Sequence, residues 1–150
     1  MNTQAELKMS NNLEEIHRLH TFAEEFCTPF SVSPSALNMI NLSLEEVVTN
    51  VISYGYDDDK EHTIIIKLTM EDQPASQRWL LTIEVWDDGL PFDATAQATP
   101  DISKPLDERE IGGLGIHLVR TFMETFEYRR QNMFNVVTMK KNLEKESGTV

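Results

Sequence analysis

Leu44-Glu45-Glu46-Val47-Val48-Thr49-Asn50 is the segment that decides how this chain folds and what it can bind. It lies between Ser33-Pro34 and Gly55. Serine is a preferred helix cap, proline suits the first turn, and glycine commonly ends a helix. The spacing predicts a helix from Ser33 to about Tyr54, with an apolar stripe of Leu37, Ile40, Leu44, Val47, Val48 and Val51. Glu46 and Asn50 are four residues apart, so both project from one face, beside that stripe and at the edge of the core. An asparagine oxygen can ligate Mg²⁺, which prefers oxygen donors, and a glutamate beside it can take a proton from an attacking hydroxyl. Taken alone, the pair also reads as a solvated glutamate and an incidental asparagine.

Beyond the polar loop Asp57-Asp58-Asp59, two strands are expected, Thr63 to Met70 and Trp79 to Trp86, with a hairpin loop from Glu71 to Arg78 around Pro74. The second strand runs into Trp86-Asp87-Asp88-Gly89-Leu90-Pro91-Phe92-Asp93. A strand ending in Asp87 leaves a carboxylate at the sheet edge, able to accept a hydrogen bond from an exocyclic amine such as that of adenine. Gly89 would let the backbone approach a flat base. An ordinary Asp-Gly turn gives the same letters.

A long irregular section from Asp87 to Gly115 carries Pro91, Pro100 and Pro105. Insertions beyond about 15 residues are usually functional lids or disorder, and glycines at both ends favour a lid. The section closes with Ile111-Gly112-Gly113-Leu114-Gly115-Ile116-His117-Leu118. Three glycines in four residues ahead of an apolar helix let backbone N–H groups converge on phosphate oxygens, or serve as a hinge. Arg109, just before these glycines, is preferred over Lys104 and Arg120 as a phosphate contact. Ile116 to Phe126 reads as a helix, with Phe122, Met123 and Phe126 in the core. Glu127 to Arg130 and Phe134 to Lys140 read as a closing hairpin, and the polar tail after Leu143 as frayed.

On the N-terminal side, Ala5 to Met9 alternates as a short strand. Asn11 and Asn12 are caps for a helix carrying Leu13, Ile16, Leu19, Phe22, Ala23 and Phe26. His17, His20 and His62 lack partners at metal-ligand spacing, and His117 suits a cap or packing role. The 150 residues suit one domain, with no repeat and no low-complexity tract. Thirteen basic against 25 acidic residues, a net charge of -12, argue against direct nucleic-acid binding but leave room for an anion held by backbone N–H groups and a metal. No window approaches the roughly 18 apolar residues of a membrane span. The first residues do not form a secretory signal, and the lone Cys27 cannot form an internal disulfide, so the expected compartment is the cytoplasm.

The three motifs, in this order and spacing, resemble the Bergerat ATP-binding fold of the GHKL superfamily, which includes gyrase and the histidine kinases. The likeness runs from the second helix to the last strand. Leu44 to Asn50 looks like the N box, Asp87 to Asp93 like the first glycine box, and Gly112 to Val119 like the second. The wording Asp-Asp-Gly-Leu-Pro-Phe-Asp and Gly-Gly-Leu-Gly-Ile-His-Leu-Val-Arg is similar to that of the anti-sigma-factor serine/threonine kinases. The resemblance implies one domain over 1–150, a two-layer α/β sandwich with helices on one face of a mixed, mostly antiparallel sheet, an ATP lid over about 91–112 and a frayed tail over about 144–150.

It further implies Glu46 as general base, Asn50 as Mg²⁺ ligand, Asp87 and Gly89 at adenine, and ATP phosphates on Gly112, Gly113, Leu114, Gly115 and Ile116. The expected partners are a STAS-type anti-anti-sigma protein, a sigma factor that competes with it, and a second copy of the chain. Pro91 departs from the superfamily, many members of which have glycine there; proline fixes φ and removes a donor. A nucleotide-gated module that sequesters a partner without catalysis is the alternative, although such a module needs no base. A histidine-kinase core fits less well, because no helix pair carrying a phosphoacceptor histidine precedes the domain.

Overall fold

The structure is a computed structural model, and it describes residues 2–96 and 113–145. Five strands form one sheet, joined to three helices in the order β1 (Asn2–Ser10), α1 (Ile16–Cys27), α2 (Pro34–Tyr54), β2 (Thr63–Gln73), β3 (Arg78–Asp87), α3 (Gly113–Phe122), β4 (Thr125–Gln131) and β5 (Phe134–Glu144).

The α2 helix forms where its punctuation puts it. The Ser33 hydroxyl accepts from the Ala36 N–H at 3.2 Å, Pro34 occupies the first turn, and the Gly55 N–H donates to the Val51 carbonyl at 2.8 Å. The predicted stripe is buried from Ile40 through Leu44, Val47, Val48 and Val51. It packs in one apolar cluster with Leu19, Ala23 and Phe26 of α1 and with the alternate residues of the central strands: Ile64, Ile66, Leu68 and Met70, then Leu81, Ile83 and Val85, then Val137 and Met139. Each such side chain contributes about 1.5–3 kcal/mol by leaving water, which is what holds the helical layer on the sheet.

The strand order is β1-β2-β3-β5-β4. The expected α/β sandwich is present, but the expected mixed sheet is antiparallel in every pairing among the described strands. The reason lies in the last hairpin. β3 and β4, joined through α3, run in the same direction, yet β5 folds back between them and pairs antiparallel with both. Parallel neighbours are thereby separated.

Several boundaries differ from those expected. The β2–β3 hairpin is longer, because Glu71, Asp72 and Gln73 pair with Leu80, Trp79 and Arg78 and leave a short turn at Pro74–Gln77, with Gln77 at φ 56°. Asn12 caps a 3-10 turn, Leu13–Glu15, rather than α1 itself. The third helix spans Gly113–Phe122 rather than Ile116 to Phe126. Its end is set by the sheet: the Glu124 N–H donates to the Lys140 carbonyl at 2.9 Å, and Phe126 pairs opposite Met139 as a strand residue. Thr, Phe and Tyr favour strands, and pairing with β5 outweighs the helical pattern. β5 continues to Glu144, and Lys145 forms an ion pair with Asp72. The expected lid, apart from 91–96, and the tail after 145 lie outside the described residues.

Candidate functional site

The α2 helix is the common wall of the site. Glu46, Asn50 and Tyr54 follow one another at four-residue spacing and share one helix face over about 12 Å. Each end of that face meets a different glycine motif.

At the Glu46 end stands the first turn of α3. A Cβ built on Gly115 would lie 2.1 Å from Cδ and 2.2 Å from Oε2 of Glu46. Only hydrogen fits there, so the glycine lets α3 start directly against the carboxyl group. Burial pushes the Glu46 carboxyl above the ordinary carboxylate range; the nearby Asn50 amide pulls it back and the Glu45 charge adds to the rise. Oε1 of Glu46 and Nδ2 of the buried Asn50 have no hydrogen-bond partner among the described residues. An orphaned buried polar atom costs about 1–3 kcal/mol, and a ligand able to pair with either atom would remove that cost. The donor set fits a magnesium nucleotide. The two ends of an asparagine amide exchange by a flip, so the unpartnered end of Asn50 can present oxygen to a hard cation.

At the other end, Gly55 meets the first glycine motif. The Leu90 N–H donates to the Gly55 carbonyl at 2.8 Å, and Tyr54 faces Phe92 with ring centroids 6.0 Å apart. A Cβ on Gly89 would stand 2.3 Å from the Gly55 oxygen. Glycine at 89 thus has a reason beyond the expected approach to a base: it lets the loop close on the end of α2.

Asp87 closes β3 and is buried, at 3% exposure. Its Oδ1 accepts from the Gly89 N–H and from Nδ2 of Asn135, both at 2.9 Å. Burial raises its carboxyl, and those two hydrogen bonds pull it back; the Asp88 charge raises it further and Arg130 lowers it. The loop is tied to the last hairpin as well. Arg130 Nη1 donates to the Gly89 carbonyl at 2.9 Å, Asn135 donates to the Leu90 carbonyl at 2.7 Å, and the Phe92 N–H donates to Asn135 at 3.3 Å. These bonds use the groups on either side of Pro91, so the missing proline N–H costs the loop none of them.

The expected residues sort accordingly. Glu46 and Gly115 meet where α2 and α3 touch, and Asn50 stands one turn further along α2. Asp87 and Gly89 form the loop docked on the end of α2. Gly113 and Leu114 begin α3 and Ile116 is fully buried within it, which leaves its backbone as the part able to meet a ligand. Arg109 and Gly112 lie outside the described residues, as does Lys104. Arg120 packs over the Phe126 ring at 6.0 Å. His117 is exposed inside α3 rather than opening it.

Asn135 and Arg130 were not anticipated. A signal existed: Asn135 occupies the phase of β5 that Val137 and Met139 use to face the core, and a polar residue in a buried phase needs partners. His62 also has partners that its sequence spacing hid. Its Nε2 meets Asp58 at 2.8 Å and its Nδ1 meets Asp88 at 3.2 Å, while its ring stacks on Tyr56 at 4.3 Å. These groups line a cavity of about 160 Å³ behind the loop.

Comparison with known proteins gives the family of the chain. The sequence matches the histidine kinase-like ATPase domain family over residues 9–141. It is 27% identical over 108 residues to the serine/threonine-protein kinase BtrW of Bordetella bronchiseptica, covering 72% of each chain. It is 29% identical over 109 residues to an anti-sigma F factor of Clostridium perfringens, covering 71% of this chain and 73% of that one. It is 28% identical over 111 residues to the serine-protein kinase RsbW of Bacillus cereus, covering 71% of this chain and 64% of that one. Among solved structures, the histidine kinase AdeS of Acinetobacter baumannii aligns over 94% of this chain and 68% of its own, at 18% identity and a TM-score of 0.42. With the N-box pair, the strand-end aspartate and the glycine-started helix arranged around α2, and the family match spanning most of its length, this chain belongs to the histidine kinase-like ATPase domain family.

Proposed function

We propose that this protein is a Mg²⁺- and ATP-dependent serine/threonine protein kinase that acts as an anti-sigma regulatory factor. Its substrate is a STAS-type anti-anti-sigma protein, and a sigma factor competes for the same kinase, which works in the cytoplasm as a homodimer. The supporting observation is Glu46 at the start of α3: a carboxyl oxygen without a partner among the described residues stands against a helix N-terminus, and the unpartnered amide of Asn50 lies one turn further along α2. The names of the relatives, kinases and anti-sigma factors alike, support the same reading.

The chemistry follows from the residues. The helix N-terminus of α3, with its partial positive charge, suits the phosphates. Asp87 takes the exocyclic amine of adenine and fixes the other end of the nucleotide. When bound, Mg²⁺ on Asn50 neutralises phosphate charge. Glu46 accepts the proton of the substrate hydroxyl as its oxygen bonds to the γ-phosphorus; the bond from that phosphorus to the bridging oxygen breaks, and ADP leaves. Positioning and charge neutralisation do most of the work in phosphoryl transfer.

The test is transfer of labelled γ-phosphate to a STAS-domain protein. Wild type is expected to label it, and folded Glu46→Gln and Asn50→Ala proteins are expected to lose at least about 100-fold in rate. Tight, nucleotide-dependent capture of the partner without label would instead favour the sequestering module.

A further inference from the structure

We propose that Asn135 is the positioning residue of the base site: it fixes which oxygen of Asp87 faces the nucleotide and so sets the preference for adenine over guanine. This rests on the reading of Asp87 as the acceptor of the base amine.

The hydrogen-bond count carries the inference. Asn135 is 1% exposed, and its amide is fully used. Oδ1 receives the Tyr128 hydroxyl at 2.7 Å, Arg130 Nη1 at 3.1 Å and the Phe92 N–H at 3.3 Å. Three donors on one atom identify it as the oxygen, so the other end must be the NH₂ group. That group has two protons and spends them on Asp87 Oδ1 at 2.9 Å and the Leu90 carbonyl at 2.7 Å. The amide therefore cannot flip without setting its NH₂ against three donors.

The consequence falls on Asp87. Its Oδ1 holds two donors, Asn135 and the Gly89 N–H. Among the described residues no hydrogen bond reaches Oδ2. The carboxylate plane is fixed with one oxygen satisfied by protein and one left as an acceptor. An acceptor at that point matches the amino group of adenine and repels the carbonyl of guanine, since an unpaired buried polar group is costly. Without Asn135, Asp87 loses one of the two donors that hold its Oδ1, the carboxylate plane can turn, and the free oxygen is no longer fixed toward the base.

The experiment is competition binding of ATP and GTP to the full-length chain from about pH 6 to 8.5, on wild type, Asn135→Ala, Asn135→Asp and Asp87→Asn. Asn135→Ala is expected to lower the ATP-to-GTP preference at least about tenfold, some 1.4 kcal/mol. Asn135→Asp keeps the acceptor oxygen but sets two carboxyl groups in contact, which then share a proton. Its ATP affinity is expected to fall at least about tenfold as pH rises and that proton leaves, while wild type changes by less than about twofold. A merely structural role predicts neither the altered preference nor the new pH dependence. Equal loss of ATP and GTP in Asn135→Ala, with a flat profile for Asn135→Asp, would overturn the proposal. If either variant fails to fold, Asn135→Ser replaces it: its hydroxyl can still donate to Asp87, and it is expected to keep more adenine preference than Asp87→Asn, whereas equal preference overturns the role. Asp87→Asn separates the two levels. Unchanged ATP affinity in that variant removes the base-site reading itself; lost affinity there with unaffected Asn135 variants removes only the positioning role.

Discussion

Gly115 and Glu46 occupy the same space: the side chain that residue 115 lacks is where the carboxyl group of residue 46 sits, with 2.1 Å between the Cβ that would be added and the carboxyl carbon. One glycine thus brings a helix N-terminus against a candidate general base. The group that would be struck is the far end of a flexible side chain, so the fold can survive a substitution that the chemistry cannot. Gly115→Ala is expected to leave thermal stability within about 1 kcal/mol of wild type, because alanine gains roughly that much in helix propensity. The same variant is expected to lose at least about tenfold in phosphate transfer through displacement of Glu46. Thermal melts and transfer rates on the same preparation check both halves.

The Glu46 carboxyl makes a second prediction, on pH. Burial raises it, so the folded state holds this proton more tightly than the unfolded chain does. A base must be deprotonated to act. Transfer is therefore expected to fall as pH drops through the raised value, above the ordinary carboxylate range near 4.5. Stability runs the other way: above both titration points, keeping the buried carboxylate ionised costs the fold. Glu46→Gln should then raise Tm slightly near neutral pH, by about 1–3 °C, while abolishing transfer. A Tm unchanged or lowered relative to wild type would contradict the buried-carboxylate account.

His62 gives a pH dependence of opposite origin. Its ring is raised above its ordinary value by the hydrogen bond to Asp58 and by the charges of Asp58 and Asp88, against some loss from burial. Other charged or titratable groups near it are Tyr56, stacked on the ring, and Lys60, whose N–H donates to Asp58. A cationic His62 ties the loop after α2 to Asp88. With the folded value raised, that contribution is complete below the unfolded histidine range near 6.5 and is lost as pH rises through the folded value. Tm measured from about pH 6 to 8.5 should decline more in wild type than in His62→Gln. Parallel curves for the two proteins would show that the bridge carries no linkage.

Much of this site was legible because its residues sit at fixed offsets along one chain segment. The Glu46 to Asn50 spacing, the Ser33-Pro34 start and the Gly55 stop are local signals, and α2 formed as they specify. Asp87 at the end of a β-branched strand and the glycines at the start of α3 were readable for the same reason. What was hidden depends on tertiary pairing. Thr125 and Phe126 continue a helical pattern, yet their β5 partners Lys140 and Met139, 15 and 13 residues further along the chain, draw them into the sheet. Asn135 and Arg130 reach Asp87 and Gly89 only because β5 lies beside β3. The partners of His62 span 26 residues to Asp88 and appear only once the loop docks. Gly89 was expected to serve a ligand, and its closest neighbour is the backbone of Gly55.

The proposed nucleotide pocket is tested most directly by titration calorimetry of ATP, with and without Mg²⁺, on wild type, Asn50→Ala and Asp87→Asn. The account predicts that Mg²⁺ strengthens wild-type binding, that Asn50→Ala loses most of this gain, and that Asp87→Asn weakens binding at least about tenfold in either buffer. ATP affinity that ignores the metal and both substitutions would contradict it.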